Sequence, residues 1–259
     1  MSHAFFPFAH YIGTQFFHDC LSCFTHLSQN NQVRCCILRA DGKYFTVGLD
    51  LKDAANNKKT LTNSDDVARK AIRQRQHVSY LQSTFNIIES CPFPIIFAAH
   101  GAVIGGGIDL SCCCDIRLCS EEAWFCIKEV DVGLCADLGT LQRLPKIIGN
   151  MSTIKELAYT ARPFSSKEAF RLGFVSRVYS TKEELYQSAN TLAEEICQKS
   201  PVAIMGTKVN LNYAQMNGQS VKEALEYQST WSASMLQSED LPKSFVASLH
   251  KKKATYSKL

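Results

Sequence analysis

IIFAAHGAVIGGGIDLSCCCDIRLCSEEAWFCIKEVDVGLCADLGTLQRLPKIIGN, residues 95–150, decides how the rest of the chain is read. It runs from an apolar strand, Ile95 to Ala99, through Gly105-Gly106-Gly107 into a helix of about 106–114. Two short strand-like segments follow, Asp115 to Cys119 and Ala123 to Ile127. An amphipathic helix from Thr140 to Ile148 then stops at Gly149, a residue type that commonly ends helices. Three acids in this stretch have apolar neighbours: Asp109, Glu129 and Asp137. Most other acids sit in polar runs where water solvates them. A carboxylate away from water is costly unless it is paired, protonated or put to use.

Upstream, residues 13–28 place Phe16, Phe17, Cys20, Leu21, Phe24 and Leu27 on one helical face. Val33 to Arg39 reads as a short buried strand and Ala40-Asp41-Gly42 as a turn. KYFTVGLDLKD (43–53) carries an apolar strand and a glycine turn, then gives way to a polar loop. Ser64-Asp65-Asp66 offers caps for a long helix of roughly 65–90, with Val67, Ala71, Val78, Leu81, Phe85 and Ile88 as its apolar positions. Cys91-Pro92-Phe93-Pro94 stops that helix. Downstream, helices are predicted at 152–160, 165–172, 181–199, 201–216, 220–236 and 240–250, with one strand, Val175 to Tyr179, among them. Strand–helix alternation followed by helices predicts an α/β core over residues 1–199 and a C-terminal helical region over 200–259.

A length of 259 residues suits one large domain, or one domain with an appendage. No apolar run reaches the roughly 18 residues of a membrane span, so none is expected. MSHAFFPFAHYIG at the start has no basic segment and carries a proline, which argues against a secretory signal. The net charge of +4 is diffuse. It suits an anionic small ligand better than nucleic acid, which needs a clustered basic face. The 12 cysteines include adjacent ones, Cys35-Cys36 and Cys112-Cys113-Cys114. The CxxC from Cys20 to Cys23 lies in a helical pattern without a second pair, so no metal site is predicted. The cysteines read as small buried hydrophobes in a reducing compartment.

The glycine run lacks the GxGxxG spacing of a dinucleotide fingerprint. Two readings stand. It packs a strand tightly against a helix, or it lets a ligand carbonyl approach the N–H groups of a helix start, where an oxyanion is stabilised. The turn Phe45-Thr46-Val47-Gly48-Leu49-Asp50 is the best source of a second donor. Asp109, in the first helical turn, either complements the helix dipole or takes part in chemistry. Carboxylates whose proton affinities are pushed apart or upward can take a proton at one place and give one at another. With an oxyanion hole, this is equipment for enolate chemistry at a thioester. His100 reads as structural, and no serine sits in a nucleophile elbow. Asp131 reads as a turn or salt-bridge residue, and Lys251-Lys252-Lys253 as a solvated helix end. The final Ser257-Lys258-Leu259 matches a receptor-read peroxisomal address. It predicts an import receptor as partner and a peroxisome, or a related organelle, as location.

Three motifs carry a family resemblance: FTVGLDL (45–51), GAVIGGGIDLSCCCDIR (101–117) and KEVDVGLCADLGTLQRLPKIIG (128–149). They resemble the enoyl-CoA hydratase/isomerase (crotonase) superfamily, most of all its dienoyl-CoA isomerase branch. The similarity runs from about residue 12 to the end, through SPVAIMGTKVNLNYA (200–214) and WSASMLQSEDLPKS (231–244). It implies an α/β crotonase fold: a spiral core of ββα units, and a C-terminal helical region that assembles trimers or hexamers. It implies an acyl-CoA thioester substrate, with CoA part of that substrate and no separate cofactor. The oxyanion donors fall on the backbone N–H groups of Leu49 and Gly106, and the hydratases' two carboxylates on Asp109 and Glu129. Asp137 falls where hydratases have a glycine, and points to isomerisation of 3,5-dienoyl-CoA to 2,4-dienoyl-CoA in fatty-acid β-oxidation. In that reaction Glu129 is assigned to C2, Asp137 to C6, and Asp109 to positioning. Val47, Gly48, Leu49, Asp50 and Gly106 would line the substrate. Lys43 and Lys52 either reach CoA phosphates or are plain surface lysines. The alternatives are an enoyl-CoA hydratase using Asp109 and Glu129, or a non-catalytic acyl-CoA-binding homologue. HAFFPFAHYIGTQFF (3–17) departs from the family's usual N-terminal strand pair and Asn-Ala turn.

Overall fold

A computed structural model describes residues 11–54, 56, 66–216 and 218–259. Residues before 11, Ser64, Asp65 and most of the polar loop before them lie outside the described residues. In order the chain forms α1 (Thr14–Ser28), β1 (Cys36–Leu38), α2 (Val67–Ser90), β2 (Ile95–Ala99), β3 (Ala102–Ile104) and α3 (Gly106–Cys112). Next come β4 (Ile116–Ser120), β5 (Trp124–Cys126), a 3-10 turn (Glu129–Val132), α4 (Thr140–Ile148), α5 (Met151–Thr160) and β6 (Phe164–Ser165). The chain closes with α6 (Ser166–Arg171), β7 (Arg177–Tyr179), α7 (Lys182–Cys197), α8 (Pro201–Met216), α9 (Val221–Met235) and α10 (Asp240–Leu249).

Among the described residues the strands form two sheets. One is all parallel in the order β1-β2-β4-β7, with Cys36 opposite Ile95, Ile96 opposite Ile116, and Leu118 opposite Arg177. The other has the order β3-β5-β6, parallel then antiparallel. Thr46 joins it through a parallel bridge to Val103. Three successive passes therefore give one strand to each sheet and then a helix: β1, Thr46 and α2; β2, β3 and α3; β4, β5 and α4. This is the ββα spiral that the resemblance implies.

β2 is buried along its whole length, as a central parallel strand covered on both faces must be. Its side chains alternate between two cores, following the two-residue strand period. Ile95, Phe97 and Ala99 enter the main core. Ile96 and Ala98 enter a smaller one with Leu118, Leu185 and Ala189, under α7. Phe17 meets Phe85 edge-on at 5.9 Å between ring centroids, which locks α1 to the end of α2. Each fully buried side chain of this size contributes about 1.5–3 kcal/mol.

Several elements differ from expectation. The strand predicted over 33–39 is confined to Cys36–Leu38, and that over 175–179 to Arg177–Tyr179. Both are edge strands and extend only as far as their single neighbour pairs. The strand-like WFCIKE leaves the ladder after Cys126, and Glu129 opens a 3-10 turn closed by Gly133 at φ 78°. Asp66 caps α2 by accepting from the Arg69 N–H. Val67, read as part of the α2 apolar face, is 82% exposed, and only Thr84, Phe85 and Ile88 are buried. In the C-terminal region Tyr213 stacks on Tyr227 at 3.8 Å, and Ser220 with Glu223 forms a capping box. Lys208 anchors α8 to the core through Asp115 Oδ2 (2.8 Å) and the Phe93 carbonyl (3.0 Å). No helix among the described residues is long and apolar enough to cross a membrane.

Candidate active site

The site lies where the segment 46–50 meets the start of α3. The two are stitched together: Thr46 N–H donates to the Ala102 carbonyl (3.0 Å), and Ile104 N–H donates to the Thr46 carbonyl (3.2 Å). Gly48, at φ 91°, approaches so closely that a Cβ would lie 3.2 Å from the Ile104 carbonyl oxygen. On the other side Ile12 N–H donates to the Gly48 carbonyl (2.8 Å), and Asp50 N–H to the Ile12 carbonyl (3.0 Å). In a parallel bridge of this kind the residue between the bonded pair, Leu49, turns its own N–H away from that partner. Gly106 opens α3, where the first N–H groups have no preceding turn to receive them. Among the described residues neither Leu49 nor Gly106 gives its N–H to a backbone acceptor. Of the two readings of the glycine run, close packing is seen at Gly107. A Cβ on Gly107 would lie 2.5 Å from Thr46 Cγ2, so this glycine serves packing.

The other predicted substrate residues sit around this junction. Val47 is half-buried and Leu49 is 38% exposed. Asp50 Oδ1 accepts from the N–H groups of Lys52 (2.9 Å) and Asp53 (3.1 Å), so its carboxylate caps the helical turn at 51–54. Lys43 and Lys52 are both exposed. The Lys43 ammonium stands 5.1 Å from the Tyr44 ring centroid.

The three acids form one electrostatic cluster. Asp109 is 1% exposed, and its Oδ1 accepts from the Thr140 N–H (2.7 Å) and the Thr140 hydroxyl (2.8 Å). Burial pushes its carboxyl up to about 6, against the pull of those two donors. The Glu129 carboxylate lies beside Gly105, where a Cβ would be in van der Waals contact with Oε1 at 3.4 Å. Glu129 Oε2 is buried with no hydrogen-bond partner among the described residues. Burial first, and then the Asp109 charge, push this carboxyl up to about 7. Asp137 lies in the loop before α4, where its carbonyl accepts from Gln82 Nε2 on α2 (2.7 Å). Partial desolvation raises its carboxyl, and His77 opposes the shift. Its charge in turn raises both Asp109 and Glu129.

The apolar flanks of Asp137 suggested a sheltered acid, and that expectation is corrected. Leu134, Cys135 and Asp137 are exposed, while Ala136 is buried in the core and Leu138 packs half-buried against it. The loop crosses the surface of this chain, so Asp137 is the solvent-facing member of the trio.

Sequence reasoning missed the residues that hold Asp109. Thr140 is the first residue of α4, and its N-cap, Gly139, has no side chain to cap the helix. Asp109 supplies the missing cap from 31 positions away. Arg143, 8% exposed, donates to both Glu89 carboxylate oxygens (3.0 and 2.8 Å) and to Asn86 Oδ1 (2.8 Å), tying α4 to α2. The absence of a capping side chain in front of α4 was the one available signal.

The remaining candidates take ordinary roles. His100 is buried between the Gly42 carbonyl (2.9 Å) and the Tyr186 hydroxyl (2.9 Å). Asp131 pairs with Lys128 at 2.5 Å. Cys20, Cys23, Cys36 and Cys91 are electrostatic neighbours in the core, yet burial raises every one of these thiols. Among the described residues no group of three or more His, Cys, Asp or Glu could hold a metal ion. Ser257 and Lys258 are exposed, and the Ser257 carbonyl accepts from Arg34 Nη2 (3.0 Å). Leu259 lines a small cleft together with Val33, Pro92 and Ile196.

The chain is similar to several known proteins. A mitochondrial Δ(3,5)-Δ(2,4)-dienoyl-CoA isomerase of Homo sapiens is 48% identical over 94% of this chain and 74% of its own length. A peroxisomal Δ(3,5)-Δ(2,4)-dienoyl-CoA isomerase of Arabidopsis thaliana is 42% identical over 96% and 88%. The crystal structure of an enoyl-CoA hydratase from Bacillus anthracis superimposes with a TM-score of 0.83 at 26% identity, covering 95% of this chain and 90% of that one. The enoyl-CoA hydratase/isomerase family matches residues 11–258, and the chain belongs to that family.

Proposed function

We propose that the protein isomerises 3,5-dienoyl-CoA to 2,4-dienoyl-CoA in fatty-acid β-oxidation. The observation that carries this reading is a third acid, Asp137, coupled to the buried pair Asp109 and Glu129. Relatives at 42–48% identity bearing the name Δ(3,5)-Δ(2,4)-dienoyl-CoA isomerase support it. The thioester oxygen sits between the N–H groups of Leu49 and Gly106, where negative charge is stabilised. One such donor is worth about 10²–10³ in rate. Glu129, raised to about 7, is matched to take the C2 proton near neutral pH. The electron pair moves into the thioester as a dienolate, and conjugation carries it to C6. Asp137 delivers a proton there, leaving double bonds at C2 and C4. Asp109 positions the pair. The reaction moves protons with no net redox change, so it needs no cofactor beyond the CoA of the substrate, and the exposed Lys43 and Lys52 are the lysines assigned to its phosphates.

We further assign residues 200–259 to homotrimer or hexamer assembly, and Ser257-Lys258-Leu259 to an import receptor of the peroxisome. The Arabidopsis relative is named peroxisomal and the human one mitochondrial. Fluorescent fusions with and without the tripeptide distinguish the two locations.

The activity test follows absorbance of purified protein with a 3,5-dienoyl-CoA. The conjugated 2,4-dienoyl thioester band is expected to grow, and to grow far more slowly with Asp137→Asn. Solvent deuterium at C2 and C6, with Glu129→Gln and Asp137→Asn, assigns each acid to its carbon. Full exchange at both carbons in either variant overturns the two-base scheme. The buried Asp109–Glu129 pair and the hydratase structure favour a second reading, water addition across C2=C3. It becomes the leading one if a 2-enoyl-CoA is hydrated while the dienoyl substrate is untouched. Binding of acyl-CoA without turnover of either substrate points to a non-catalytic homologue.

A further inference from the structure

We propose that Thr140 is the positioning residue that keeps Asp109 ionised, so that of the two coupled acids it is Glu129 that holds a proton. The geometry is asymmetric. Asp109 Oδ1 receives two donors from one residue, the Thr140 N–H at 2.7 Å and its hydroxyl at 2.8 Å. That N–H belongs to the first turn of α4, whose positive dipole end faces the carboxylate. Glu129 is less well supported: backbone N–H groups of Glu129 and Lys128 offset its desolvation only in part, and its Oε2 is buried with no hydrogen-bond partner among the described residues. Hydrogen bonds to the charged form of a carboxylate favour that form, and desolvation without them favours the neutral acid. Of two electrostatically coupled carboxylates so placed, the less well supported one takes up its proton first as pH falls.

The charges facing the pair are few. Arg143, from α4, favours the Asp109 anion but is itself committed to Glu89 and Asn86. Asp137, from the loop, opposes ionisation of both acids, and the Cys112 thiol on α3 is held neutral by burial. The fixed charge on Asp109 then has a use: it keeps Glu129 close to neutral pH, where a base for C2 is most effective.

Only the effect on rate rests on the isomerase reading; the protonation state of Asp109 does not. Infrared difference titration of the folded protein without substrate reads it directly, with the Asp109 carboxyl stretch identified by its loss in Asp109→Asn. In the native protein this band is expected to appear as pH falls through about 6. In Thr140→Val, which removes one charge-assisted hydrogen bond at nearly constant volume, it is expected about one pH unit higher. Thr140→Ser, which retains a hydroxyl, is expected to titrate as the native protein does. An unchanged Asp109 titration in Thr140→Val overturns the proposal, and Thr140→Ala gives the same readout if the valine variant does not fold. With isomerase activity present, Thr140→Val moves the acid limb of kcat/KM to lower pH, because a protonated Asp109 no longer raises Glu129. A merely structural role for Thr140 lowers kcat at every pH and leaves the limb in place. Absence of isomerase activity sinks the functional reading while the infrared result stands.

Discussion

A buried carboxylate oxygen without a donor costs free energy whenever the group is ionised, and Glu129 bears that cost. Its carboxyl lies at about 7 in the folded chain against an ordinary 4.5. The folded state therefore holds this proton to higher pH than the unfolded state does. Stability falls as pH rises from about 4.5 to about 7: the penalty is absent below that window and complete above it. Its ceiling is on the order of 3 kcal/mol. Glu129→Gln, which does not titrate, is expected to melt above the native protein at pH 8 and level with it near pH 4.5, while losing activity by about 10²–10⁴-fold. A melting difference that is the same at both pH values contradicts the desolvation argument. The acids were legible in the sequence because their neighbours are apolar and because family motifs surround them. Thr140 was not, because its bond to Asp109 spans 31 positions, and the capless start of α4 shows only that a partner is missing and not which residue supplies it. The exposure of Asp137 was not legible either, since an apolar neighbour such as Leu134, itself 50% exposed, does not fix which way a loop side chain faces.

At the scale of elements, α3 is held so close to β3 and the 46–50 segment that only glycine fits at 107. A Cβ there would press on Thr46 Cγ2 at 2.5 Å and Val103 Cγ1 at 3.1 Å, both inside packed structure. Thr46 carries the hydrogen bonds that align 46–50 with β3, so any shift is passed to the Leu49 N–H. Gly107→Ala is expected to cost about 1–3 kcal/mol of stability, as overpacking typically does. It should also lower kcat more than it raises KM, because transition-state charge rather than ground-state binding depends on the donor pair. A drop in melting temperature with full kcat disconnects packing from the oxyanion donors. Long periodic elements such as α1 and α7 were readable from side-chain spacing. β3 and β6, three and two residues long, are too short for a period to show. Their existence depends on partners elsewhere in the chain, Trp124 to Cys126 for β3 and Trp124 to Phe125 for β6.

At the scale of the whole molecule, the C-terminal helices leave apolar surface uncovered. α9 has no buried residue, which is unusual for a helix whose sequence includes Val221, Leu225 and Trp231. Val221 and Leu225 are 78% and 60% exposed, Phe245 and Val246 on α10 are 61% and 56%, and Leu211 on α8 is 63%. Scattered exposed leucines need no explanation, but large apolar side chains concentrated on three neighbouring helices mark an interaction surface. In the assembly proposed above, a second copy of the chain would cover this surface. The native protein is therefore expected to sediment as three or six chains of 28.9 kDa each. Replacing Leu225 and Phe245 together by Asp places charge in the proposed contact, where an unpaired charge is strongly unfavourable, and is expected to yield monomers. The spiral core, with both of its hydrophobic clusters intact, should retain its secondary structure in that variant. A native protein that sediments as a folded monomer at micromolar concentration removes the assembly role from residues 200–259 and leaves these apolar helices for a different partner.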